Sequence, residues 1–400
     1  MQKEILQALR NNRNWFLNSG VLAADGKWGV AERVFLTGGN EAVELTLDSF
    51  PSWSRIPEGY IIEQRRADCA FQCAWYFLQL SKIFETENNR ALAENLLDFL
   101  YCRSGLLSHH KIDEPYPVGC WNWSHIRWTP SVYYDDNAWA IIIALAIAAT
   151  CPEWDEKYQM KQYALAGAQA LYCAFASNFP QDQADYVPHW NGNLQLPHWG
   201  ALACAALGRA AEYASAEEKD KYYALIRKYM QFVEDKANEW NCSELCYSLL
   251  SISMMSSLPM FSEYLLPFGC RLADIICQAM DENCLLPSEH YEAPAGGQLA
   301  DLIYTMNFAA VAFTGFTPLV PNQKQIQNVR DKIIEFLLKI QDKHPSLHLN
   351  GCWRGMYNVS MHKWGGGNHT EGGADSIYTG WTNAPIGWAL AGFFLQEKLI

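Results

Sequence analysis

The chain has 400 residues, half of them hydrophobic and 18% charged, which excludes a disordered chain. Its formal net charge of −13 comes with no basic run able to neutralise phosphates, so neither nucleic acid nor an anionic membrane is an expected partner. Aromatic residues make up 14%, including 16 Trp whose indole N–H groups want polar partners, and aromatic faces in that number suit a sugar-lined cleft.

The start, MQKEILQALRNNRNWF, reads as a charged amphipathic helix with Ile5, Leu6, Leu9 and Phe16 on one face. It is not a basic segment followed by an apolar one, as a secretory leader would be. The 13 cysteines, an odd number without disulfide-style clustering, read as reduced thiols, so the expected location is cytoplasmic. Next, GVAERVFLTGGNEAVELTL alternates apolar and polar residues around Thr37-Gly38-Gly39-Asn40, which predicts a small β-hairpin near the N-terminus.

From residue 67 onward helical signals recur in pairs, an apolar member first and an amphipathic one second. ADCAFQCAWYFLQLSKIF precedes NRALAENLLDFLY, and DDNAWAIIIALAIAA precedes EKYQMKQYALAGAQALYCAFA. HWGALACAALGRAAEYA precedes EEKDKYYALIRKYMQFVED, and SELCYSLLSISMMSS precedes SEYLLPFGCRLADIICQAM. ADLIYTMNFAAVAFTGF precedes QKQIQNVRDKIIEFLLKIQ, where Ile326, Val329, Ile333, Leu337 and Ile340 mark one face. The loop LHLNGCWRGM between the last pairs predicts a short extended piece. DSIYTGWTNAPIGWALAGFFL is apolar all round and, paired with the N-terminal helix, closes a ring of six hairpins. No linker divides the sequence, so residues 1–400 are expected to form one domain. The longest apolar span, residues 138–149, is too short to cross a bilayer and reads as a buried helix.

In such a ring the inner helices begin at one end of a central cavity, so the residues before them should line one funnel. Arg65, Arg66 and Asp68 stand at the first; Tyr134, Asp135, Asp136 and Asn137 at the second, with Trp139 one turn on. His189, Trp190, His198 and Trp199 flank the third; Asn241, Ser243 and Glu244 open the fourth. Glu289, His290, Tyr291 and Asp301 lead the fifth; His369, Glu371, Asp375, Tyr378 and Trp381 lead the sixth. Helix capping is the plain alternative for Asp68, Ser243 and Asp301. One cap explains one aspartate, not the pair Asp135 and Asp136. Adjacent carboxylates raise the pKa of one member, giving an acid beside an ionised base or nucleophile, as glycoside hydrolysis requires.

The stretch VYYDDNAWAIIIALA resembles the paired-aspartate signature of the six-hairpin glycosidases, above all the α-1,6-mannanase family, glycoside hydrolase family 76. That resemblance implies an (α/α)6 toroid, an all-α fold, with Asp135 as nucleophile and Asp136 as acid/base. Unsaturated glucuronyl hydrolases share the fold, so α-mannosides and unsaturated uronides are both implied substrate classes. The segment CWNWSHIRW crowds aromatics before the pair, and alternation would send Trp121, Trp123, His125 and Arg127 to one side as a sugar-binding wall. A loop tucked under its own aromatics is the alternative. In YNVSMHKWGGGNHTEGG, Gly365-Gly366-Gly367 lacks the Lys-Ser/Thr of a phosphate loop, and Trp364 and His369 are candidate contacts.

No cofactor or metal is expected. Cys242 and Cys246 lack partner ligands, Pro345 separates His344 from His348, and Cys270, Cys277 and Cys284 at seven-residue spacing read as core thiols. The expected partner is an oligosaccharide and the expected activity glycoside hydrolysis. Three other readings stand beside it. They are a sugar isomerase or epimerase of the N-acylglucosamine 2-epimerase type using histidines such as His125, His189, His198, His290 or His369, a polysaccharide lyase using residues such as Tyr134, His198 and Arg127, and a non-catalytic sugar-binding toroid.

Overall fold

The computed structural model describes residues 1–37, 52–85, 87–109, 117–126, 131–180, 190–288, 298–365, 373, 375–397 and 399–400. In chain order its α-helices are α1 (Gln2–Asn18), α2 (Ala67–Ile83), α3 (Asn89–Asp98), α4 (Tyr134–Thr150), α5 (Pro152–Tyr158), α6 (Met160–Asn178) and α7 (Pro197–Ala211). They continue with α8 (Ala216–Asp235), α9 (Cys242–Met254), α10 (Leu266–Ala279), α11 (Met306–Phe316), α12 (Lys324–Ile340) and α13 (Ala384–Leu395).

Six of these are apolar nearly all round, and a helix without a polar face must be covered on every side. Helix α4 buries every residue from Tyr134 to Ala148. The solution is a closed inner ring in which α2, α4, α7, α9, α11 and α13 each touch the next and α13 returns to α2. The amphipathic helices pack outside, α3 on α2, α6 on α4, α8 on α7, α10 on α9, α12 on α11 and α1 on α13. Helix α12 buries the predicted stripe of Ile326, Val329, Ile333, Leu337 and Ile340. The expected (α/α)6 toroid is therefore the observed one, and its sixth hairpin joins the first outer helix to the last inner helix.

Rings from three inner helices fill the middle. Trp139 of α4 is fully buried, 5.6 Å from Trp388 of α13 and 6.5 Å from Phe308 of α11, measured between ring centroids. Hairpins also interlock through missing side chains. At Gly200 of α7 a Cβ would fall 2.1 Å from the hydroxyl of Tyr229 on α8, and that hydroxyl donates to Leu194 O at 2.8 Å. Gly200→Ala is expected to destabilise the protein by about 1–3 kcal/mol through overpacking. Thermal unfolding should then begin at lower temperature, with His198 two residues away displaced as well.

Small sheets close one end of the ring. Strands β1 (Arg33–Leu36), β2 (Trp53–Ile56), β3 (Gly59–Ile62) and β9 (Ser376–Tyr378) form one sheet in the order β2-β3-β1-β9. β1 has Ile61 opposite Val34 on one edge and Ile377 on the other. The first arm of the predicted hairpin is thus a strand, but its partners come from residues 59–62 and 376–378. The second arm, residues 41–47, lies outside the described residues. β6 (Leu299–Asp301), β7 (Met356–Asn358) and β8 (Lys363–Trp364) form an antiparallel sheet, so the extended piece expected in residues 347–356 begins only at its last residue. β4 (Val132–Tyr133) pairs in parallel with β5 (Trp190–Asn191) and runs directly into α4.

No helix among the described residues is long and apolar enough to cross a membrane. Nine of the thirteen cysteines are buried. Cys284 is buried, but Cys270 and Cys277 are half-buried, because α10 is an outer helix with one face toward water.

Candidate active site

Asp135 and Asp136 lie in the first turn of α4, where free backbone N–H groups and the helix dipole favour carboxylates. The turn is locked from behind by Asn137. Its Oδ1 accepts the Trp121 N–H at 2.8 Å, and its Nδ2 donates to Trp121 O at 3.1 Å and Tyr133 O at 3.0 Å. The side-chain amide is used on both ends, so strand β4 and the preceding loop move as one with the aspartates.

Asp136 Oδ1 accepts from Arg66 Nη2 at 2.9 Å. The same guanidinium holds Asp68 through two bonds of 3.0 Å and Glu32 Oε1 through Nη1 at 3.1 Å. Trp123 and Trp381 place their rings 5.5 Å from the Arg66 guanidinium carbon, within cation–π range. Trp381 also donates its indole N–H to Asp68 Oδ2 at 2.8 Å. Asp68 is therefore no helix cap: it sits inside the first turn of α2 and anchors Arg66. The cap of α9 is Asn241, whose Oδ1 accepts the Glu244 N–H at 3.0 Å, not Ser243. Asp301 accepts the N–H groups of Ile303 and Tyr304 in a turn that precedes α11.

The two aspartates differ in their surroundings. Among the described residues, Asp135 Oδ1 and Asp136 Oδ2 are buried and have no hydrogen-bond partner. Burial pushes the Asp135 carboxyl up to about 6, with His198 and Arg66 pulling the other way. Burial also holds Asp136 well above the ordinary range; Arg66 opposes this, and the Asp68 and Asp135 carboxylates add to it. The pair keeps a proton that an exposed carboxylate would have lost.

Across the floor, α7 supplies His198. Its Nδ1 meets Glu244 Oε1 at 2.6 Å, and its backbone N–H donates to Glu244 Oε2 at 2.6 Å, so one carboxylate from α9 grips both. Burial alone would lower the His198 pKa; the Glu244 carboxylate, with Asp135 beyond it, raises it above the ordinary value. Tyr247, one turn along α9, packs 5.8 Å from His198 and 4.1 Å from Phe308, and its buried hydroxyl has no partner among the described residues.

The structure brings Arg66, Asp68, Trp123, Asp135, Asp136 and Trp381 into one cluster, with His198 coupled to Asp135. It removes others from the role expected of them. Trp121 is buried edge-on against Phe71 and Tyr101, because its backbone is tied to Asn137. Trp139 is core, fully buried beside Trp388 and Phe308. Tyr134 accepts from Asn178 Nδ2 at 2.6 Å and lies 4.9 Å from the ring of buried Trp190, so Tyr134 is turned toward α6 and β5. That takes Tyr134 out of the lyase reading. Tyr378 is committed to Arg33, which donates to its hydroxyl. His125 is exposed and accepts the Arg65 backbone N–H at 3.0 Å, so the expected alternation is broken within residues 121–125. Trp199 lies behind His198 at 4.3 Å, and Trp364 packs on Tyr357 at 5.1 Å. Arg127, His189, His290 and His369 lie outside the described residues. Glu32 and Arg33 were not expected here. Their signal was two adjacent charges at the head of an otherwise apolar strand. Among the described residues no cluster of His, Cys, Asp and Glu could hold a metal ion.

No family model matches the sequence, and no curated protein does. Solved structures do match. An unsaturated glucuronyl hydrolase specific for heparin superposes with a TM-score of 0.63 at 10% identity, over 100% of both chains. The cellobiose 2-epimerase of Bacillus thermoamylovorans B4167 gives 0.63 at 10% identity, over 99% of this chain and 100% of its own. The fold is that of the six-hairpin glycosidases. An inactive α-1,6-mannanase of Salegentibacter sp. HEL1_6, with two adjacent aspartates replaced by asparagine and mannotriose bound, gives 0.56 at 11% identity over 99% of this chain and 100% of its own. The six-hairpin architecture thus hosts hydrolases and epimerases alike, and at these identities the likeness is one of fold.

Proposed function

We propose that the chain is a glycoside hydrolase acting in the cytoplasm on short oligosaccharides, with Asp135 and Asp136 as its catalytic pair and residues 1–400 as one domain. The observation that carries this is the asymmetry of the pair. Asp136 has one oxygen fixed by Arg66 and the other unpartnered. A proton on Oδ2 is therefore held in one orientation, as a general acid needs. Asp135, unpartnered at Oδ1 and raised to about 6, is ionised at neutral pH and serves as nucleophile or base. Trp123 and Trp381 offer faces for sugar rings beside the acid. The resemblance of VYYDDNAWAIIIALA to the mannanase signature, and the adjacent aspartates replaced in the inactive mannanase, support α-mannosides. The glucuronyl hydrolases of the same fold support unsaturated uronides.

A second reading, a sugar isomerase or epimerase, is favoured by one observation: His198 clamped by Glu244 at the same floor is a proton-transfer dyad. The test is a panel of α-mannosides, unsaturated uronides and reducing disaccharides, scored for new reducing ends and for isomers of unchanged mass. The hydrolase reading expects a new reducing end. It also expects His198→Gln to keep at least about a tenth of kcat, because a group that only binds or orients costs less than an acid or base. Mass-neutral conversion abolished by His198→Gln would replace the hydrolase reading with the second one.

A further inference from the structure

Glu32 and Arg33 take no part in the chemistry above, yet they extend its charge network. Buried Glu32 is shared by two arginines: Oε1 lies 3.1 Å from Arg66 Nη1 and Oε2 lies 3.3 Å from Arg33 Nε. Arg33 is pinned to strand β9, donating to the Tyr378 hydroxyl and, at 3.3 Å, to Ser376 Oγ. A line of alternating charge therefore runs from the sheet to the floor as Arg33, Glu32, Arg66 and Asp136. Two guanidiniums face two carboxylates that hold them, Glu32 and Asp68. Asp135 and Asp136 are the surplus.

We propose that Glu32 is a positioning residue that neutralises Arg66 on the side away from Asp136, so that Asp136 keeps its proton while Asp135 is ionised. This rests on the hydrolase reading. A bare Arg66 would stabilise the Asp136 carboxylate instead, and the acid would be spent before the substrate arrived. The other charged or titratable groups that face the cluster come from α2, α4, α7, α9 and β9. On α2 they are Asp68 and the thiols of Cys69 and Cys73, which burial keeps neutral. On α4 it is Asp135; on α7 and α9 they are His198, Glu244 and Tyr247; on β9 it is Tyr378.

The experiment measures kcat and KM against pH for the wild type, Glu32→Gln, Glu32→Asp and Arg33→Met on whichever substrate is cleaved. In parallel, the side-chain carboxyls are titrated by NMR in protein labelled with carbon-13 aspartate, with Asp136→Asn to assign the signal. Glu32→Gln is expected to move the alkaline limb of kcat down by about one pH unit or more, with KM changed less than about threefold. Arg33→Met removes a positive charge behind Glu32 and is expected to move the same limb up. Glu32→Asp, which keeps the charge, should stay near the wild type. Limbs that do not move, or a pH-independent fall in kcat tracking lost thermal stability, overturn the proposal while leaving the hydrolase intact. If the wild type cleaves nothing, the hydrolase reading falls. The Asp136 carboxyl signal then still decides whether Glu32 sets its proton: the same downward shift supports it, and an unmoved titration overturns it.

Discussion

Asp135→Asn and Asp136→Asn will each cut turnover by roughly 10²–10⁴-fold, the usual worth of an acid or base, and Asp135→Asn will melt above the wild type at pH 7. The first half follows from the pair's chemistry. The second follows from linkage. The Asp135 carboxyl ionises near 6 in the folded protein against an ordinary 3.8. As pH rises past 3.8 the unfolded chain gives up its proton while the folded chain retains one, so stability falls. The loss grows to about 3 kcal/mol once pH passes 6, at about 1.4 kcal/mol per pH unit. Asparagine removes that loss. A chain of this size should gain on the order of 2–4 °C in Tm at pH 7–8, and nothing below pH 4. Asp136→Asn should move the same way, since its amide oxygen can still accept from Arg66. Calorimetry across pH checks this: an Asp135→Asn protein that melts lower than wild type at pH 7 would mean the carboxylate is stabilised, not strained, where it sits.

Arg66→Met is the most damaging single change expected. The side chain is 11% exposed and holds Glu32, Asp68 and Asp136 at once. Removing a buried cation leaves its carboxylates uncompensated, a loss of about 3–5 kcal/mol, or roughly 4–6 °C in Tm for 400 residues. The dependence on pH has the sign of any lost ion pair to a carboxylate. Without Arg66 the Asp136 carboxyl loses the charge that opposes its burial and ionises at still higher pH, so the defect should shrink as the solution is acidified toward pH 5. Arg66→Lys keeps the charge but not the two-pronged grip on Asp68, and should fall between. Equal loss for Lys and Met at every pH would show that packing against Trp123 and Trp381, not charge, is what Arg66 provides.

Much of this architecture was legible from periodicity alone. Six all-round apolar helices have only a few ways to be covered, and α12 and α4 declared their faces residue by residue. The stretch around Asp135 and Asp136 also stands out in the sequence, because two adjacent carboxylates exceed what capping needs. What stayed hidden was direction. Trp121 and Trp123 are two residues apart, yet one is core and the other faces Arg66, since turns rather than a strand connect them. Tyr134 and Tyr378 carry polar tips that nothing in the sequence assigns to Asn178 and Arg33. The bond between His198 and Glu244 joins residues 46 apart. Pairings of that kind are set by which helices become neighbours, and local pattern holds no record of them. The first β-strand showed the same limit: its alternation was plain, but its partners come from two other segments, one of them near the C-terminus.

The ring's last hairpin has a bearing on how the protein is made. Helix α1 leaves the ribosome well ahead of its partner α13, and the two can pack only once residues 384–395 have been synthesised. Until then α2 has one bare flank, β1 lacks its β9 edge, and Asp68 lacks the indole of Trp381. Such long-range closure is slow, and it leaves apolar surface exposed during translation. The carboxylate floor is therefore completed by the closing of the circle itself: a nascent chain can carry every acid of the site and still lack the wall that holds them in place.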